Sequence, residues 1–304
     1  MITAVCLNPS IDHTLRIDGF EYGGLNRVRA SRFDAGGKGV NVAVAVSALG
    51  YPAECVGFMY RESARLFETR LIQSGASCDF AWREGSARTN LKVFDAGRGV
   101  VTEFNESGRP VDKDDLAQMT QRIVHRAEHA ECLVLSGSMP PGCPKDYYAQ
   151  ILRALAGKEC RCVLDADGEA LREGIKARPW LIKPNRAELE ALTGRALTDV
   201  ASVRDAAREI VAQGVSVVAV SMGAQGALIA DAREAFYAPA LKVPVRSTVG
   251  AGDAMVAGLA VGFATGAALC DAFGMGMAAA SAMCMTEGSA ALSRADYMPL
   301  VSSV

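Results

Sequence analysis

The sequence predicts an α/β fold: a doubly wound, mostly parallel sheet with helices on both faces. Short apolar runs alternate with helical patterns along most of the chain. A strand–helix–strand rhythm of that kind means parallel pairing with crossover helices. The chain has 304 residues, half of them hydrophobic, so one large domain can bury a sizeable core. Two segments, 12–35 and 87–110, break the rhythm and read as β-hairpin material.

Taken in order, "ITAVCL" opens the chain as a strand. "KGVNVAVAVSALG" reads as a helix stopped by Gly50, "AECVGFM" as a strand, and "ESARLFETRLIQSG" as an amphipathic helix with a glycine stop. "ECLVLSG" (131–137), "CRCVLDA" (160–166) and "VSVVAVSMG" (215–223) are further strands, separated by helices near 112–129, 144–156, 185–193 and 200–213. Within the second interruption, "NLKVF" and "VVTEF" alternate around the turn "DAGRG". Two unrelated surface hairpins would satisfy this pattern. A small sheet inserted at the ligand end, acting as a lid, is the more economical arrangement. No repeat, linker or second core interrupts the chain, so residues 1–304 are expected to form a single domain. The apolar run 254–270 is short for a membrane span, rich in Gly and Ala, and closed by Asp253 and Asp271, which predicts a buried core helix.

Composition excludes several function classes. Net charge is −2 with both signs mixed throughout, so neither a nucleic-acid face nor a membrane-binding patch is expected. The nine cysteines are irregularly spaced and contain no CxxC. Reduced thiols and a cytoplasmic location are the expectation, and the N-terminus lacks the basic region of a signal peptide.

The motifs remain open on local physics. The first βα loop carries "NPSID" rather than GxGxxG, and "GGKGVN" (36–41) lacks the Ser or Thr of a P-loop. Gly36 and Gly37 nevertheless open a helix whose free N–H groups face outward, with Lys38 and Asn41 beside them; a glycine-rich entry for helix packing reads equally well. Ser136 and Ser138 in "SGSMPPG" stand at a strand end or in an ordinary Pro-Gly turn. Asn185 and Glu188 in "KPNRAE" form a capping box or order the water shell of Mg²⁺. "SMGAQGAL" (221–228) borders a nucleotide or is only a turn. In "LDADGEAL", Asp165, Asp167 and Glu169 hint at calcium, but Ala170 stands where the EF-hand glycine belongs, and Asp167 reads as a helix N-cap. His125 and His129 lack the HExxH order and suit a solvated helix face, and no GxSxG elbow exists. "STVGAGD" poses the sharpest choice. Gly250, Ala251 and Gly252 either make a tight turn into a close-packed helix, or aim bare amides at an anion while Asp253 accepts a hydroxyl proton.

The set "GGKGVN", "KPNRAE" and "STVGAGDAMVAG", in this order and spacing, resembles the PfkB or ribokinase-like carbohydrate kinases across essentially the whole chain. The resemblance implies a ribokinase-like fold with a β-sheet lid that serves many members as a dimer clasp, so a homodimer is expected. It implies that Asp253 is the catalytic base and that the amides of Gly250, Ala251 and Gly252 form an anion hole. It implies that ATP is the phosphoryl donor, that Lys183, Ser221, Gly223, Gly226 and Gly252 line the nucleotide side, and that Asn185 and Glu188 support Mg²⁺. "LNPSID", "GGKG", "ARTNLKV" and "TEFNESG" look most like the phosphosugar branch, within it the fructose 1-phosphate kinases. On that reading Asp12 and Asn41 hold sugar hydroxyls, Lys38 and Arg88 hold the sugar phosphate, Gly37, Asn90 and Ser138 complete the sugar site, and Arg27 is a weaker phosphate candidate. "MTEGSA" (285–290) would border the adenine. Tagatose 6-phosphate and fructose 6-phosphate kinases are the alternatives, because fructofuranose is nearly symmetric about its ring. A non-catalytic sugar-phosphate binder is the alternative of a different class.

Overall fold

The computed structural model describes residues 1–286 and 292–303. In chain order its strands are β1 (Ile2–Cys6), β2 (Ser10–Ile17), β3 (Val28–Gly36), β4 (Ala53–Tyr60), β5 (Ser77–Arg83), β6 (Arg88–Asp95), β7 (Val100–Asn105), β8 (Cys132–Ser136), β9 (Arg161–Asp165), β10 (Leu181–Ile182), β11 (Val217–Ser221), β12 (Ala227–Ala230) and β13 (Ala235–Ala238). The helices are α1 (Lys38–Ala48), α2 (Ala64–Ser74), α3 (Lys113–Ala127), α4 (Tyr147–Ala154), α5 (Gly168–Lys176), α6 (Arg186–Thr193), α7 (Val200–Ala212), α8 (Ala251–Ala264), α9 (Leu269–Cys284) and α10 (Arg294–Val301).

The main sheet has nine strands in the order β13-β12-β11-β10-β9-β8-β1-β4-β5. All strands from β11 to β5 run parallel, and β12 and β13 add an antiparallel edge. The predicted doubly wound arrangement is present. Residues of β1 enter opposite cores in turn: Ile2, Ala4 and Cys6 pack with α1, α2, α8, α9 and α10, whereas Val5 and the following Leu7 pack with α3, α4, α5 and α7. That alternation explains why β1 reads as a continuous apolar run, since both of its faces are covered.

The two interruptions pair with each other. Their four strands form a separate sheet in the order β3-β2-β6-β7. Strands β2 and β3 are antiparallel, β2 and β6 parallel, β6 and β7 antiparallel. In this register Asp12 lies opposite both Asn90 and Asp34, so the three share one face. Phe33 and Phe104 lie on the other face and are exposed, at 56% and 53%.

The apolar run 254–270 corrects an expectation. It is not one helix. Gly266 adopts φ 80°, a left-handed conformation that ends α8, and α9 begins three residues later at Leu269. The two helices then pack closely on each other. A Cβ on Gly258 would lie 2.5 Å from the Met275 carbonyl oxygen, and one on Gly262 would lie 2.8 Å from Ala272 Cα. The small residues after Asp253 therefore serve backbone approach between helices. No helix among the described residues is long and apolar enough to cross a membrane. Gly258→Val should force α8 and α9 apart and lower stability by about 2 to 3 kcal/mol; an unchanged urea midpoint would show that the helices do not meet there.

Candidate active site

Parallel strands in register end together, and the ends of β1, β8, β9 and β10 bring several polar groups to one place. Asp165, the last residue of β9, has a side chain only 1% exposed and lies between two ammonium groups, Lys38 Nζ at 3.2 Å and Lys183 Nζ at 3.3 Å. Burial pushes its carboxyl up, but Lys183 and Lys38 outweigh burial and hold it below the usual carboxylate range. Burial likewise opposes the charge on Lys38, yet Asp165 and then Asp253 keep it protonated well above the ordinary lysine range. Sequence reasoning did not assign this role to Asp165. Its place at the carboxyl end of a buried strand was the available signal.

Asp253 lies in the first turn of α8 and is 7% exposed. The helix starts after Gly250, which adopts φ 78°. The Ala251 N–H turns back to the Thr248 carbonyl at 3.3 Å. Among the described residues the amides of Gly252 and Asp253 have no acceptor, as the first turn of a helix requires. A Cβ on Gly252 would stand 3.4 Å from Lys183 Nζ, so its absence keeps open the corner between helix start and lysine. Asn41 Nδ2 donates to Asp253 Oδ2 at 2.7 Å. Burial, and after it the negative Asp165, push the Asp253 carboxyl up to about 6, against Lys38, Asn41 and Lys183, which pull it down. A carboxylate so placed changes protonation close to neutrality.

Lys38 also lines a cavity of about 320 Å³ together with Gly37, Arg88, Asn90 and Ser138. Asn8, Asn105, Ser136 and Asp167 complete its polar wall. Arg88 donates from Nη1 to the Glu106 carbonyl at 2.8 Å and from Nη2 to Ser138 Oγ at 3.3 Å. Burial lowers its pKa, and its Nε and Ser136 Oγ are buried without partners among the described residues. Unsatisfied polar groups on a cavity wall are suited to a polar ligand. Gly37 takes φ 104°, and a Cβ there would lie 2.9 Å from Cys6 Sγ. Asp12 does not line this cavity. It accepts from Lys92 Nζ at 2.8 Å, Ser10 Oγ at 3.0 Å and Asn90 Nδ2 at 3.2 Å, and so orients Asn90. Arg27 sits exposed between β2 and β3 and does not reach the cavity within this chain. A larger cavity of about 740 Å³, lined by Ile11, Phe33, Leu66 and Arg70 among others, lies between β3 and α2 and contains none of the sequence-derived candidates.

The remaining candidates sit at the ends of β10 and β11. Asn185 caps α6: its Oδ1 accepts from the Glu188 N–H at 2.9 Å, and Glu188 Oε2 accepts from the Asn185 N–H at 2.8 Å. The capping box is thus real, whatever else these residues do. The Ser221 N–H donates to the Pro184 carbonyl at 3.1 Å, which holds Ser221 beside Asn185. Gly223 and Gly226 adopt φ 57° and 91° in the turn that follows. Asp167 occupies the N-cap position of α5 but makes no side-chain cap bond there, and faces the cavity instead. Of "MTEGSA", residues 287–290 lie outside the described residues. All nine cysteines are free, and the described residues contain no cluster of three or more His, Cys, Asp or Glu side chains that would hold a metal.

The sequence profile of the pfkB family carbohydrate kinases matches residues 6–295. A 1-phosphofructokinase of Rhodobacter capsulatus is 43% identical over 262 residues, 85% of this chain and 82% of that protein. A 1-phosphofructokinase of Bacillus subtilis is 32% identical over 94% of this chain and 93% of its own length. Among solved structures, phosphofructokinase-2 from Escherichia coli in complex with substrates and products superposes with a TM-score of 0.93 at 31% identity, covering 100% of this chain and 98% of that one. A ribokinase from Thermotoga maritima shares the fold at a TM-score of 0.80 and 22% identity, over 99% of each chain. A match over nearly the whole length, on a fold whose strand ends converge as described, makes this chain a member of the pfkB family of carbohydrate kinases.

Proposed function

We propose that the protein transfers the γ-phosphoryl group of ATP to the 6-hydroxyl of fructose 1-phosphate, giving fructose 1,6-bisphosphate and ADP. The observation that carries this reading is Asp253, a buried carboxylate poised near neutrality beside the open amides of a helix start and in the field of two lysines. The sugar is chosen from the relatives, several of which are 1-phosphofructokinases.

Asp253 accepts the proton of the 6-hydroxyl as its oxygen bonds to the γ-phosphorus, and the bond from that phosphorus to the bridging oxygen of ADP breaks. The amides at Gly250, Ala251 and Gly252 receive the charge of the transferring group, with Ala251 first giving up its weak bond to Thr248. Arg88 and Lys38 hold the 1-phosphate in the smaller cavity, where Gly37, Asn90 and Ser138 frame the sugar. Asn41 meets a sugar hydroxyl from beside Asp253, and Asp12 acts on the sugar through Asn90, which it orients. Lys183, Ser221, Gly223, Gly226 and Gly252 border the nucleotide. The fit for Mg²⁺ is that of a hydrated ion shared with phosphate oxygens. Asn185 and Glu188 are already rigid through their mutual cap, and no larger acidic cluster competes among the described residues. Magnesium bound there would neutralise charge on the phosphates. The four-stranded sheet serves as the lid, and its exposed apolar face, including Phe33 and Phe104, as the dimer contact.

A second reading has a specific basis. Phosphofructokinase-2 from Escherichia coli, in a structure in complex with fructose-6-phosphate, matches this chain at a TM-score of 0.91. An ADP-release assay with Mg-ATP decides between them: kcat/KM for fructose 1-phosphate well above that for fructose 6-phosphate or tagatose 6-phosphate supports the first, and the reverse order the second.

Asp253→Asn should reduce kcat by about 10²–10⁴-fold while sugar-phosphate binding survives; near-parent turnover removes the base. In the parent, kcat/KM should fall as pH drops through about 6, where Asp253 takes up its proton. Stability moves the opposite way. The folded pKa is raised, so the buried charge costs stability above it, and the cost is relieved as pH falls. Asp253→Asn should therefore melt higher than the parent at about pH 8, by on the order of 2 kcal/mol, with the gap closing towards about pH 4. Equal melting at all pH values would show that Asp253 carries no such cost.

Arg88→Ala should raise the KM for sugar phosphate at least about tenfold with little change for ATP. Equal effects on both substrates would place Arg88 elsewhere in the mechanism. Light scattering at assay concentration should give twice the chain mass of 32.0 kDa, and a monomer would reject the lid contact.

A further inference from the structure

We propose that Arg70 is a positioning residue that fixes which end of the Asn41 amide faces Asp253 and ties that choice to the root of β3. This rests on the reading of Asp253 as the base. Arg70 lies on α2, within the amphipathic stretch "ESARLFETRLIQSG" and outside "GGKGVN", "KPNRAE" and "STVGAGD". Its Nη1 donates to Asn41 Oδ1 at 2.9 Å and also to the Ala35 carbonyl. Ala35 is the penultimate residue of β3, immediately before Gly36 and Gly37. One nitrogen therefore holds both the strand that enters the small sheet and the amide that holds the base.

The chemistry of the asparagine makes this matter. A carboxamide presents a donor at one end and an acceptor at the other, and the two are nearly the same size. An arginine is a donor only, so Asn41 must turn its oxygen to Arg70 and its NH₂ to Asp253. The observed bonds have that polarity, with Nδ2 of Asn41 donating to Asp253 Oδ2 at 2.7 Å. Without Arg70 the amide is free to flip and set its oxygen against the carboxylate, which favours the protonated acid. Arg70 also contributes charge. Burial lowers its pKa, while Asp34, Asp12 and Asp253 act on it in the opposite sense. The other groups that face Asp253 are Asp165, Lys38 and Lys183, and none of them controls the orientation of Asn41.

The test uses the full-length enzyme with Mg-ATP and fructose 1-phosphate. Arg70→Met keeps the length and apolar stem of the side chain and removes every donor. It should lower kcat at about pH 7 by at least about tenfold, leave sugar-phosphate KM within about threefold, and move the acid limb of kcat/KM to higher pH. In an Asn41→Ala background the same change should cost little more, because its route is gone. Arg70→Lys retains a donor and the charge; it should keep the acid limb in place and lose less turnover. An unmoved acid limb in a folded Arg70→Met enzyme overturns the proposal, as does full additivity with Asn41→Ala. Should Arg70→Met fail to fold, Arg70→Lys decides: an acid limb shifted upward overturns the proposal, and an unmoved limb supports it. Near-parent turnover of Asp253→Asn would instead remove the base itself and this role with it.

Discussion

Two ammonium groups, Lys183 buried and Lys38 partly exposed, converge on one buried carboxylate, and the arrangement of the candidate site depends on it. Asp165 is almost fully enclosed, and its charge survives only because Lys38 and Lys183 stand on either side. Removing one lysine would leave the buried carboxylate with only one of its two counter-charges, and removing both would leave it uncompensated, a far larger penalty than any surface ion pair carries. The three residues come from the start of α1, the end of β9 and the segment after β10. They meet only if those strands are adjacent, parallel and of matched length. The triad thus belongs both to the fold and to the site, and it sets the field that Asp253 feels.

That field explains how a lone acid in an apolar helix comes to be poised rather than permanently neutral. Burial and Asp165 favour the protonated form; Lys38, Asn41 and Lys183 favour the ionised one. Burial and Asp165 prevail, but Lys38, Asn41 and Lys183 offset them in part, so the carboxyl settles at about 6. Stability is sacrificed at such a position, since a neutral isostere would avoid the burial cost of the charge. Strain of this kind is common where a side chain must change protonation in the course of a reaction.

Glycine and alanine around Asp253 divide into two physical roles that the sequence runs together. Before the acid, Gly250 supplies a left-handed turn, and Gly252 leaves the corner beside Lys183 open. After it, Gly258 and Gly262 let α8 and α9 approach to backbone contact. The same composition also misled the reading of 254–270 as one helix. Apolar periodicity continues across a break when a glycine ends one buried helix and the next resumes in the same core. Strands β5 and β13 escaped for different reasons: "SCDFAWR" mixes polar and apolar residues at one edge of the sheet, and "AFYA" at the other edge is only four residues long, too short to show a period.

The sequence by itself determined the layer architecture, since alternating apolar strands and amphipathic helices allow few ways to bury both faces of a parallel sheet. It also narrowed to two readings each the local devices whose residues are neighbours in the chain: the capping box at Asn185 and Glu188, the glycine entry at Gly37, and the helix start that carries Asp253. Only the tertiary structure decided the pairings between distant segments. Asp165 with Lys38, Asp12 with Lys92, Arg88 with Ser138, and Arg70 with Asn41 span 127, 80, 50 and 29 residues of chain. No period or spacing encodes such partners. They are selected by which strand ends coincide once the sheets have assembled, and by the need of each buried charge or amide for a complementary group within hydrogen-bond reach.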